Sequence, residues 1–153
     1  MREVFSKFNN FKWDNVDKIE YKKAKDGEAV SFNNVLRQNI VESDNDIGFD
    51  VRYFECAKGG YTSLEKHEHV HVVLTLRGSG SIIVGKKVYN VQPFDLTVIP
   101  SWAEHQLVNI GEEPFGFVCT VNGDRDKPTL LSKQETLELM EIPELSAVIK
   151  AAF

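Results

Sequence analysis

From about residue 28 to residue 121 the chain alternates short apolar, β-branched runs with short polar breaks. The runs are "AVSFNNVLRQNIV", "FDVRYFECA", "YTSLEKH", "HVVLTLR", "SIIVG", "KVYNV", "LTVIP", "HQLVNI" and "FGFVCTV". The breaks are "SDNDIG", "KGG", "GSG", "VGKK", "QPFD", "PSWAE" and "GEEP". Runs of this length closed by Gly, Pro, Asn and Asp read as strands joined by turns. So many of them at close intervals predict an all-β antiparallel barrel or sandwich. "GKK" between "SIIV" and "VYNV" is short enough for a tight hairpin.

The pattern changes at both ends. Ser132 with Glu135 spells a capping box, Leu137, Leu139 and Met140 follow, Pro143 opens a second helical turn, and Leu145, Val148 and Ile149 continue a helical stripe. Two short helices over residues 132–153, packed on the outside of the barrel, are expected. Residues 1–27 mix Phe5, Phe8, Phe11 and Trp13 with charges and read as a clasp on the barrel surface or on a partner subunit. Apolar surface at both ends exceeds what one barrel covers, so a homodimer is expected. The 153 residues make a single domain, with a barrel core over about 48–121.

Charge and cysteine content narrow the partners. A formal charge of −5 and a pI near 5.4 argue against nucleic acid, which needs a dense Lys/Arg face. The basic run "YKKAK" at 21–25 is expected on a solvated edge. No stretch is apolar and long enough for a membrane span, and the N-terminus is not a uniformly apolar leader, so a cytoplasmic protein is expected. Cys56 and Cys119 are too few and too distant for a disulfide framework or a thiolate metal motif. Both read as free thiols, either small buried hydrophobes or, for Cys119, a residue lining a pocket.

Candidate chemistry concentrates in "EKHEHVH", where Glu65, His67, His69 and His71 occupy every second position. In an extended chain these side chains share one face. A straight strand would spread them over roughly 20 Å at about 3.3 Å per residue, too far for all four to reach one ion through bonds of about 2 Å. Either the chain turns inside the stretch or one member stands aside. The fourth histidine, His105, follows the strand "LTVIP" and the turn "SWAE" and starts a new strand. One hairpin plus a later strand lets an antiparallel barrel converge such ligands on its interior.

Over about residues 48–121 the chain resembles the cupins, whose fold is a jelly-roll barrel, a double-stranded β-helix. The family's second motif maps onto Phe94, Pro100, Trp102, His105 and Asn109, with proline, histidine and asparagine matched and both glycines replaced by aromatics. Counted backwards from Gly78, its first motif falls on Gly59, Glu65, His67, His71 and Gly78, with Glu and His exchanged between the outer ligand positions. The resemblance implies four metal ligands, Glu65, His67, His71 and His105. It puts Glu68, His69 and Val70 at the corner between two strands, with His69 in a turn or supporting role.

Three imidazoles, one carboxylate and a divalent ion carry about +1 charge, which suits an anionic substrate. Such ligands accept Mn, Fe, Co, Ni or Zn alike. Candidates for substrate contact are Arg52, Thr75, Trp102 and Cys119. Arg52 would offer a bidentate seat to a substrate carboxylate or lie on the surface, and Trp102 would narrow the pocket mouth or pack at a subunit contact. The resemblance implies a metal-dependent enzyme on a small oxygen-rich metabolite, of dioxygenase, isomerase or lyase type. The order Glu-x-His, three residues, His is also similar to the manganese site of ureidoglycine aminohydrolase cupins, from which His105 departs. The alternative is a non-enzymatic metal-binding cupin that holds a small ligand. Fold and ligand set alone name no reaction.

Overall fold

The computed structural model describes residues 3–22 and 31–151. Residues 1, 2 and 23–27 of the expected clasp, with most of "YKKAK", lie outside them. The described residues form thirteen strands and two helices in order. They are β1 (Phe8–Asn9), β2 (Lys12–Trp13), β3 (Lys18–Glu20), β4 (Asn33–Val41), β5 (Phe49–Tyr61), β6 (Glu65–Lys66), β7 (His71–Arg77), β8 (Gly80–Val84), β9 (Lys87–Val91), β10 (Leu96–Ile99), β11 (His105–Val108), β12 (Phe115–Asn122), β13 (Thr129–Leu130), α1 (Lys133–Met140) and α2 (Pro143–Ser146).

All pairings are antiparallel, and apart from the β1–β2 hairpin they form one curled sheet. One wall runs β10-β7-β12-β5-β4-β3 and the other β9-β8-β11-β6-β13, joined where Val108 of β11 pairs with Tyr61 of β5. The expected all-β jelly-roll barrel with short C-terminal helices is the architecture found. Its interior is filled by Phe54, Ile82, Ile99, Leu107, Phe115 and Phe117. β8 is buried on both faces: Ile82 faces the barrel, while Ile83 joins Leu64, Leu139, Leu145 and Ile149 beneath the helices. This explains why "SIIV" reads as an unbroken apolar run.

Local chemistry sets the boundaries. Ser132 accepts from Glu135 N and Glu135 returns the bond to Ser132 N, the capping box that opens α1. Leu137 lies off the buried stripe and is exposed. Of the N-terminal aromatics, Phe11 and Trp13 stack on Tyr53, with ring centroids 6.3 and 5.3 Å apart, so this part of the clasp lies on its own barrel. "KGG" does not end a strand as expected. β5 runs through it to Tyr61, and Gly59 takes the left-handed φ of +76° inside the strand.

The four motif glycine positions explain one another. Gly59 and Gly78 have φ of +76° and +64°, and Phe94 and Trp102, which stand where the family places glycine, have +75° and +61°. At Gly78 a Cβ would also meet Pro114 O at 2.2 Å. The turns therefore keep the glycine conformation while carrying aromatic side chains, at a cost of roughly 1–2 kcal/mol each. Phe94 is 78% exposed, so little burial offsets the strain. Phe94→Gly should stabilise the fold by about 0.5–1 kcal/mol after the added chain entropy of glycine. Urea denaturation midpoints check this, and a lowered midpoint would show that Phe94 makes contacts worth more than the strain.

Candidate metal centre

Glu65 and His105 are cross-strand partners of β6 and β11, so two short strands bring a carboxylate and an imidazole together. His67 follows β6 directly, the chain turns through residues 68–70, and His71 opens β7. This corner removes the length problem of a straight "EKHEHVH". His67, His105, Glu65 and His69 are buried and His71 is partly buried.

Each imidazole is oriented through Nδ1. His67 Nδ1 lies 2.7 Å from His69 O, His105 Nδ1 3.0 Å from Ala103 O, His69 Nδ1 2.8 Å from Asp126 Oδ1, and His71 Nδ1 3.0 Å from Cys119 Sγ. The Nε2 atoms are left to converge. His69 Nε2 and His71 Nε2 are 3.3 Å apart, and His105 Nε2 is 4.0 Å from Glu65 Oε1. The rings of His67 and His69 stack with centroids 3.6 Å apart. Holding one ring nitrogen by a carbonyl or carboxylate while the other faces inward is how proteins orient metal-binding histidines.

Electrostatics agrees with that role. Burial, then the neighbouring His105 and His69, lower His67 to about 4. Burial first, then His105 and His67, push His71 well down, and burial also lowers His105. At neutral pH these three rings are neutral and offer lone pairs. Nε2 of His67 and of His105 are buried with no hydrogen-bond partner, an expensive arrangement unless something accepts the lone pairs. Two overlapping groups, Glu65/His67/His105 and His67/His69/His71, each bring their ligand atoms within 4.8 Å of one another. The donor set fits a divalent transition metal without choosing which one.

Beside the histidines lies a cavity of about 200 Å³ lined by residues that include Lys22, Arg37, Arg52, Phe54, Cys119 and Arg125. Of the residues expected to touch substrate, Arg52 and Cys119 line it. Thr75 is fully buried outside the lining, and Trp102 is half exposed, its main-chain N–H donating to His67 O at 2.7 Å. His69 sits at the expected corner, yet its ring turns inward and becomes a fifth ligand candidate. Lys22 leaves the solvated edge expected for the basic run: its Nζ reaches Glu65 Oε2 at 2.5 Å. Asp126, Arg37 and Arg125 carry no local signal in the sequence, because they enter the site from distant segments. Cys56 is buried away from the cavity lining. Burial pushes the Cys119 thiol up to about 11 against the opposing field of Arg52.

Residues 52–121 match the Cupin_2 family, whose description is "Cupin domain". Across 80% of this chain and 76% of the relative, the sequence is 42% identical to a 1-methylthio-D-xylulose 5-phosphate methylsulfurylase of Rhodospirillum rubrum. The chain is a cupin. This cupin also superposes on two crystal structures of cupin-2 proteins. One, from Rhodospirillum rubrum, is 37% identical with a TM-score of 0.81 over 96% of this chain and 94% of that one. The other, from Rhodopseudomonas palustris, is 36% identical with a TM-score of 0.79 over 88% and 90%.

Variants separate the ligand candidates of this cupin by metal bound per chain after identical purification. His67→Ala, which belongs to both groups, should empty the site, and Glu65→Gln and His71→Ala should each lower affinity at least about tenfold. Asp126→Asn, which frees the His69 ring, should cost about tenfold to hundredfold. Wild-type metal content in Asp126→Asn and in His69→Gln would remove His69 from the ligand set. Chelation of the loaded protein should lower its melting temperature, since an ion that binds only the folded state stabilises it by mass action.

Proposed function

We propose that this cupin is a metal-dependent enzyme that cleaves a carbon–sulfur bond beside a carbonyl in a small phosphorylated sugar, the chemistry named for its Rhodospirillum relative. The observation that carries this reading is Cys119, a buried thiol inside the cavity, 3.0 Å from His71 Nδ1 and 3.9 Å from Arg52 Nη2. A thiol is the natural acceptor of a methylsulfanyl group. It is more useful here than to the dioxygenase, isomerase or lyase chemistry that cupin resemblance alone suggests.

The residues divide the work. A divalent ion held by the histidines and Glu65 would supply Lewis-acid polarisation of the substrate carbonyl. Were His71 to hold that ion through Nε2, its Nδ1 would carry the ring proton and point it at the Cys119 sulfur, 3.0 Å away. Arg52 adds a cation on the same sulfur, and both pull against the burial that pushes the thiol up to about 11, which lowers the cost of forming the thiolate as it attacks. The thiolate attacks the substrate sulfur, a sulfur–sulfur bond forms, and the carbon–sulfur electron pair passes into the carbonyl system, which then takes a proton. A thiol from solution reduces the resulting mixed disulfide and restores Cys119.

Turnover of 1-methylthio-D-xylulose 5-phosphate with a thiol reductant tests the reading. Cys119→Ser should lose at least about a hundredfold in rate, the scale of removing a nucleophile's contribution, while keeping wild-type metal content, and Cys56→Ser should stay active. In the absence of reductant, mass spectrometry should find a methylsulfanyl adduct on Cys119. Saturable ligand binding without turnover would instead favour the non-enzymatic cupin, and full activity in Cys119→Ser would remove the thiol from the chemistry.

A further inference from the structure

The histidines supply one part of the cavity lining. Three guanidinium groups from separate segments supply another: Arg37 on β4, Arg52 on β5 and Arg125 in the loop after β12. Arg37 pairs across strands with Phe54, and Arg52 with Asn39, two residues further along β4, so register sets the first two on one interior face. Arg52 lies over the Phe54 ring at 5.0 Å. Arg125 Nη1 donates to Asp50 Oδ2 at 2.5 Å and to Asn122 O at 2.7 Å, which fixes its loop against the strand mouth.

The charges are out of balance. Nε of Arg37 and Nε of Arg52 are both buried with no hydrogen-bond partner. Burial first, then the charges of Arg52 and Arg125, lower the basicity of Arg37, while Tyr21 and Glu42 act in the other direction. Asp50 is the one carboxylate among the described residues that bonds any of the three. Three guanidinium charges against one carboxylate leave about two positive charges facing a small cavity, an arrangement that costs stability unless a dianion enters it.

We propose that Arg37, Arg52 and Arg125 form a seat for the phosphate of a phosphate monoester. Arg52 lines the cavity with the other two, and its Nη2 lies 3.9 Å from Cys119 Sγ. An ester held at the arginines by its phosphate extends its other end toward Cys119 and the histidine Nε2 atoms. The orientation, though not the anion seat, rests on the reading of the reaction given above. Planar forks that bond oxygen pairs bidentately suit phosphate better than lysines would.

Titration calorimetry with D-xylulose 5-phosphate and with phosphate-free D-xylulose, on the full chain as purified, tests the seat. Wild type should bind the ester and hold the free sugar far more weakly. Arg37→Met and Arg52→Met should each weaken ester binding by about tenfold or more, the worth of a charged hydrogen bond. Arg125→Met combined with Asp50→Asn, which leaves no carboxylate unpaired, should do the same. Lys58→Met, which removes an exposed lysine paired with Glu112, is the control and should bind as wild type does. Melting temperature and metal content are measured on each variant, and a variant that fails to fold is replaced by the corresponding Arg→Gln. The proposal is overturned if wild type shows no saturable binding of the ester, if the arginine variants bind as wild type, or if they lose free sugar as strongly as ester. Arginine-dependent ester binding without carbon–sulfur cleavage would retain the seat and reject the reaction. Cleavage with an unchanged KM in the arginine variants would do the reverse.

Discussion

The structure turns on a hydrogen-bond constraint: each of the four histidines has its Nδ1 engaged by a neighbour, so its Nε2 has nowhere to face but inward. Two of the engaging groups are main-chain carbonyls, of His69 and Ala103, and these belong to the corner and the turn that deliver the rings. Orientation is thus built into the backbone path, and the barrel's closure at β5–β11 and β6–β11 makes the paths meet. Buried neutral rings with unpartnered nitrogens are unfavourable by themselves. That cost is the physical reason to read the cluster as a seat for an ion and not as packing.

Around that constraint the cavity gathers charge. Its lining brings Glu65, paired with Lys22, and the imidazoles together with three guanidinium groups, one of them paired with Asp50. Cys119 and Arg52 lie on the adjacent strands β12 and β5, where they are direct cross-strand partners. The surplus of guanidinium charge favours an anionic ligand over a cationic one. The backbone is left-handed at Phe94 and Trp102, and the Trp102 main-chain N–H is tied to the ligand corner through His67 O.

Sequence and tertiary structure contribute on different length scales. The strand runs, the capping box at Ser132 and Glu135 and the unbroken apolar run "SIIV" are consequences of residues within a few positions of one another, and the amino-acid pattern determined them. The spacing of Glu65, His67 and His71 along one hairpin is likewise local, whereas His105, on a later strand, meets Glu65 only through the pairing of β11 with β6. The continuation of β5 through "KGG" was not legible, since glycine is compatible both with a turn and with a bend inside a paired strand, and β4 and β11 decided between them. Only the fold brought Asp126 to His69, Lys22 to Glu65, and Arg37 and Arg125 to Arg52. These partners are joined by strand register and barrel closure across tens of residues, and a charged side chain gives no local sign of whether it will face solvent or meet its counterpart in a buried cavity.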